Sequence, residues 1–160
     1  MRLELNRESQ YAIRALVPLA IEAGRPSSGR EIAGRTDAPE RLMARVLGRL
    51  GAAGIVESRI GRTGGYMLSR APDELSILDV VETIEGPTRG IRCVLRQRGC
   101  DPTAPCAIHP IWSSAQDGVI DTLGATTLSA LVASERAIDP ASPRALVTER
   151  TITCPVPALG

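Results

Sequence analysis

The 160-residue chain has no Phe, no Lys and one His, and aromatic residues make up only 2% of it. Without Phe the core must be filled by Leu, Val, Ile and Ala, which favours helices over a sandwich of sheets. No run approaches the roughly 20 apolar residues that a membrane helix needs. The N-terminus lacks the apolar segment of a signal peptide. A cytoplasmic location without membrane association is therefore expected, and clustered cysteines in that reducing compartment point to metal or redox chemistry rather than disulfides. There is no Ser-His-Asp set, P-loop or nucleotide-binding fingerprint, so an enzyme is not expected.

What is present is arranged unevenly. The length suits one or two small domains with a buried core. The net charge is only +1, yet residues 1–71 carry 12 Arg against 7 acidic residues and residues 72–160 carry 7 Arg against 11. A basic front half followed by an acidic back half suits a nucleic-acid reader joined to a second function.

Residues 1–5 alternate and read as a short strand. From Glu8 to Ala23, Ala12, Leu16, Leu19 and Ala20 recur at helical spacing, with a bend expected at Pro18. Ser28-Gly29-Arg30-Glu31 reads as a capping box opening a short helix over 29–35. After the turn Thr36-Asp37-Ala38, Pro39 suits the first position of an Arg-rich helix running through Leu42, Val46, Leu47 and Leu50 to Gly51 or Gly54. These two helices form a helix-turn-helix pattern. Residues 55–59 and 65–68 then read as a β-hairpin, with Gly61, Gly64 and Gly65 serving its tight tip. Helix, helix and hairpin in that order make a winged helix. Ser76 caps a further helix over 77–85, stopped by Gly86-Pro87. Apolar residues from Ile111 to about Ala133 predict a single helix of ~35 Å. One small domain cannot cover it, so a dimer partner is expected, and Trp112 suits a core or interface position. The expected fold is mainly α with a small β-hairpin wing: a winged-helix domain over 1–75, a cluster loop and long dimerisation helix over 76–133, and a flexible tail over 134–160.

Three of the four cysteines and the only histidine fall within residues 93–109, as Cys93, Cys100, Cys106 and His109. The spacing is C-x6-C-x5-C-x2-H, with Gly99, Pro102 and Pro105 preventing regular structure. Such ligands hold zinc or an iron–sulfur cluster, and both remain open on the residues alone. Cys154 stands apart and reads as an ordinary exposed thiol. In the basic half, Arg41 and Arg45 lie one turn apart on the second helix of the helix-turn-helix, and Arg59 and Arg62 belong to the wing. Arg in these places can read guanine or hold phosphate.

These pieces together resemble the winged-helix iron–sulfur transcription regulators that include IscR and NsrR. The matching residues are Tyr11-Ala12-Ile13-Arg14-Ala15-Leu16, Ile32-Ala33, Val46-Leu47-Gly48-Arg49-Leu50, Gly54-Ile55-Val56, Gly61-Arg62-Thr63-Gly64-Gly65-Tyr66-Met67-Leu68 and Ser76-Ile77-Leu78-Asp79-Val80-Val81-Glu82, then the three cysteines and Thr126-Thr127-Leu128. The resemblance spans about residues 1–133 and implies a homodimer on a partly palindromic double-stranded operator. It also implies a 2Fe–2S or 4Fe–4S cluster on Cys93, Cys100 and Cys106 that reports iron status, nitric oxide or oxidants to a transcription repressor. The implied fourth ligand is His109, as in IscR-like loops, or Glu8 from the other subunit, as in NsrR-like ones. The first gap here is six residues, where IscR-like loops have five. The competing expectation is a zinc-stabilised or cluster-free winged-helix module that binds DNA or protein without sensing.

Overall fold

The computed structural model describes residues 4–61, 63–88 and 106–138. It is mainly helical: α1 (Arg7–Ile21), α2 (Gly29–Arg35), α3 (Glu40–Ala52), β1 (Val56–Arg59), β2 (Gly65–Leu68), α4 (Ile77–Glu85), α5 (His109–Ala125) and α6 (Leu128–Ile138). Among the described residues, no helix is long and apolar enough to cross a membrane.

Local chemistry sets most helix boundaries. The Asn6 side chain accepts from the Ser9 backbone N–H at 2.8 Å and starts α1. Ser28 accepts from Glu31 N–H at 3.1 Å and starts α2. The reciprocal box expected there forms instead at Ser76, where Asp79 both donates its N–H to Ser76 Oγ and accepts from Ser76 N–H. Pro39 is the residue before α3 rather than its first position. At the far end of α3, Gly54 at φ +67° lets its N–H reach the Gly51 carbonyl and that of Ile55 reach Leu50. This left-handed stop satisfies the last carbonyls of the helix and turns the chain directly into β1.

β1 and β2 pair antiparallel, with Val56 opposite Leu68 and Arg59 opposite Gly65. The hairpin is clamped to the start of α2 by a further backbone pair, Ser27 N–H to Tyr66 O at 3.0 Å and Tyr66 N–H to Ser27 O at 2.8 Å. Gly65 makes the clamp possible. Its φ is +153°, and a Cβ there would lie 2.5 Å from the Ser27 carbonyl oxygen.

One aliphatic core joins α1, α2, α3, α4 and α6. Ala12, Leu16, Leu19, Ile32, Met43, Val46, Leu47, Leu50, Val80, Ile84, Leu128 and Val132 are all buried in it. α5 lies apart from this core; Ile120 is its one fully buried residue, while Ile111 and Val119 are exposed.

Three expectations are corrected here. Glu4 and Leu5 are not in a strand, and residues 1–3 lie outside the described residues. The single helix expected over 111–133 is two helices. Thr126 is extended, Ile77 N–H donates to its carbonyl at 2.9 Å, and Leu128 N–H donates to Leu75 O at 2.8 Å. The Thr127 hydroxyl caps the new start by accepting from Ala130 N–H. Two adjacent β-branched residues hold the extended backbone that apolar spacing alone does not reveal. Finally, the helix does not give way to tail at 134. α6 continues to Ile138, and Glu135 is buried. Residues 139–160, including Cys154, lie outside the described residues.

A second tie joins the ends of α1 and α2. Glu22 accepts from Arg35, and Arg25 is 3.9 Å away. The Arg35 hydrogen bond holds the Glu22 carboxyl below its ordinary value of 4.5, and it raises the Arg35 pKa in turn. A depressed carboxyl stabilises the fold fully above its unfolded pKa and loses that contribution as pH falls through the folded value. Wild type should therefore melt above Glu22→Gln at neutral pH. The gap should close in acid below about pH 4, as followed by thermal unfolding across a pH series; a gap that persists undiminished would contradict the pairing. For Gly65→Ala we expect a loss on the order of 1–3 kcal/mol in urea unfolding. Faster amide exchange at Ser27 and Tyr66 should accompany it.

Candidate nucleic-acid interface

Each residue of α3 advances about 100° around the helix axis. Met43, Val46, Leu47 and Leu50 are buried together on one side. The opposite side therefore carries Arg41, Arg45, Gly48 and Ala52, all exposed. The two arginines singled out from the sequence thus share the outward face, and Gly48 between the turns leaves room for close approach. Glu40, at the head of the helix, is 3.3 Å from Arg30 of α2.

Arg45 is not free to wander. Its Nη2 pairs with Glu8 Oε1 in the first turn of α1. Glu8 Oε2 is 3.3 Å from Arg49 Nη1, and Arg49 Nη2 donates to the Thr83 carbonyl of α4 at 3.1 Å. Arg49 was not singled out by the sequence reading, although the four-residue spacing of Arg41, Arg45 and Arg49 marks a row along α3. Arg59 ends β1 and lies 3.3 Å from Glu57, with both side chains well exposed, so that pair holds it only loosely. Ile60 beyond it is fully exposed at the hairpin tip. Arg62 lies outside the described residues.

The metal-ligating residues are only partly placed. Cys93 and Cys100 lie outside the described residues. Cys106 is an exposed free thiol. His109 opens α5 with its N–H donating to the Cys106 carbonyl at 2.9 Å, and its Nε2 is 3.4 Å from Ser113 Oγ. One thiol and one imidazole therefore stand within a single turn. Their chemistry suits an iron–sulfur cluster or zinc completed by further thiolates. Among the described residues, no group of three or more His, Cys, Asp or Glu could hold a metal ion. Glu8, the alternative ligand expected from across the dimer, pairs within its own chain with Arg45 and Arg49 of α3.

The first turn of α1 also contacts α4. Glu85 Oε1 accepts from Asn6 N–H at 3.0 Å and from Ser9 Oγ at 2.6 Å. Neither contact has a sequence signature, because the partners are 79 and 76 residues apart.

The family model Rrf2, described as an iron-dependent transcriptional regulator, matches residues 5–134. An rrf2-like HTH-type transcriptional regulator of Rhodobacter capsulatus is 32% identical over 139 residues, covering 81% of this chain and 93% of that protein. The HTH-type transcriptional regulator IscR of Pectobacterium carotovorum is 26% identical over 138 residues, covering 86% and 84%. Among solved structures, CymR, the global cysteine regulator of B. subtilis, superposes with a TM-score of 0.71 at 28% identity, covering 83% of this chain and 98% of that one. T. potens IscR superposes with a TM-score of 0.72 at 23% identity, covering 88% and 93%, which shows the shared fold.

Proposed function

The chain belongs to the Rrf2 family of transcriptional regulators, and on that premise we propose that it is a repressor whose operator binding is controlled by an iron–sulfur cluster. The DNA-reading half rests on the outward face of α3, where Arg41 and Arg45 stand exposed opposite the buried stripe. A helix of this kind enters the major groove and presents guanidinium groups to guanine edges. Arg59 and Arg62 of the wing contact the adjacent backbone or minor groove. As in its relatives, the working unit is a regulator of transcription rather than a catalyst.

The protein acts as a homodimer. α5 leaves Ile111 and Val119 exposed, and a cavity of about 220 Å³ between α4 and α5 is lined by Leu5, Val81, Trp112, Ala115, Val119 and Leu123. A second copy of the chain is the natural cover for that apolar surface. The dimer would meet two half-sites about one helical turn of DNA apart.

The sensing half rests on the turn that joins Cys106 to His109 at the head of α5. Cys93, Cys100 and Cys106 would hold the cluster as thiolates and His109 would complete the set, leaving Glu8 to α3. When bound, the cluster supplies iron centres that nitric oxide, oxidants or iron shortage can modify or remove. This chain's part is mechanical. His109 is the first residue of α5, so a change in what the loop holds acts directly on that helix. Through α4 it reaches Glu85, and through Glu85 the first turn of α1. The spacing of the two reading heads would follow.

Protein purified without oxygen should be coloured and contain matched iron and sulfide, and Cys106→Ser should be colourless. A colourless wild type with stoichiometric zinc, or with no metal after reconstitution with iron and sulfide, would favour the zinc-stabilised or cluster-free module instead. For DNA reading, Arg41→Ala and Arg45→Ala should each weaken binding to a selected site by roughly 1–3 kcal/mol, measured by fluorescence anisotropy. Unchanged affinity in both variants would mean that another face reads DNA.

A further inference from the structure

We propose that Glu8 is a specificity-determining positioning residue, which holds Arg45 for base reading and withholds it from indiscriminate phosphate contact. The proposal rests on the reading of α3 as the DNA-reading helix. Two arginines one turn apart converge on the two oxygens of this one carboxylate. Their settings differ. Arg49 is also anchored to the Thr83 carbonyl, so it braces Glu8 from the side of α4. Arg45 is 62% exposed and lies on the outward face, where, among the described residues, Glu8 holds its Nη2. Glu8 is itself only 24% exposed and stands in the first turn of α1, where the helix dipole favours a carboxylate.

Two consequences follow from this arrangement. A guanidinium has five donors, and the pair with Glu8 occupies Nη2 of Arg45. The remaining edge stays available to a base, and the carboxylate restricts its orientation, so less side-chain freedom is lost on forming the operator complex. A DNA phosphate, by contrast, must compete with Glu8 for the same positive charge. Exchange of one anion for another gains little, so Arg45 contributes little to the sequence-independent part of binding. Without Glu8 the helix would carry a further unneutralised cation. DNA of any sequence would then bind more tightly, and preference for the operator would shrink.

Two probes test this: the tightest duplex that wild type selects from a randomised pool, and a scrambled duplex of the same composition. Affinity is measured against salt for wild type, Glu8→Gln, Arg45→Ala and the double variant, all at equal measured iron content. For Glu8→Gln on scrambled DNA the slope of log K against log salt should steepen by about 0.9, the equivalent of one further phosphate contact. The preference for the selected duplex should fall several-fold. In the Arg45→Ala background the same substitution should change neither quantity. A loss of packing at Glu8 would not sharpen the salt dependence on scrambled DNA, so this readout separates positioning from a merely structural role. The proposal is overturned if Arg45→Ala weakens selected binding while Glu8→Gln leaves slope and preference unchanged, or if Glu8→Gln acts equally with Arg45 absent. If Arg41→Ala and Arg45→Ala both leave the two probes unaffected, or no preferred duplex emerges, it is the assignment of α3 that fails.

Discussion

The aliphatic core of this structure is packed around α1. The chain has no Phe to span a wide interior, so its elements must approach one another closely, and α1 permits this with Ala12 and Ala15 fully buried. Leu16, Val17 and Leu19 fill the space between, meeting Met43, Val46, Leu47 and Leu50 of α3 on one side and Val80, Ile84, Leu128 and Val132 of α4 and α6 on the other. A core of small aliphatic residues at interior packing density tolerates little displacement of one helix without response from its neighbours. That rigidity is what lets a helix-turn-helix be carried as a single body.

The polar contacts of α1 are concentrated at its two ends, and the ends do different work. At the C-terminal end, Glu22 and Arg35 tie α1 to α2 in a partly buried ion pair. At the N-terminal end, one helical turn touches two elements. Ser9 and the Asn6 backbone meet Glu85 of α4, and Glu8 meets Arg45 and Arg49 of α3. Arg49 closes the circuit by donating to Thr83 of α4. α3 and α4 are thus joined through a single turn, by charge-assisted bonds that are stronger and more directional than neutral ones. α4 is therefore tied to α3 twice, through these polar contacts and through Val80 and Ile84 in the shared aliphatic core.

The wing is positioned on another principle. Val56 is buried in the core beside α3, with Tyr66 and Leu68 packed against it, and the backbone does the rest. The left-handed stop at Gly54 aims β1, and the backbone pair between Ser27 and Tyr66 fastens β2 against the start of α2. Both devices depend on glycine: Gly54 for its positive φ and Gly65 for the absence of a Cβ where two backbones meet. Glycines at the hairpin tip were legible as turn residues in the sequence. That Gly65 serves a contact 38 positions away was not, because a close approach between backbones leaves no mark other than the glycine itself.

The sequence by itself determined the elements and much of the candidate surface. α2 and α4 fall on the residues expected from Ser28, Ser76 and Gly86 because caps and stops act within four residues of the helix ends. The outward placement of Arg41 and Arg45 follows from helical periodicity once the buried stripe is known. Tertiary structure alone decided the break between α5 and α6, where backbone bonds to Leu75 and Ile77 favour an extended Thr126 over continued helix. It also decided the partners of Glu8. As a residue in a first turn, its charge suits the helix dipole and needs no further explanation. Only folding places it between two arginines 37 and 41 positions away, because a side chain's long-range partners depend on which helices the core brings together.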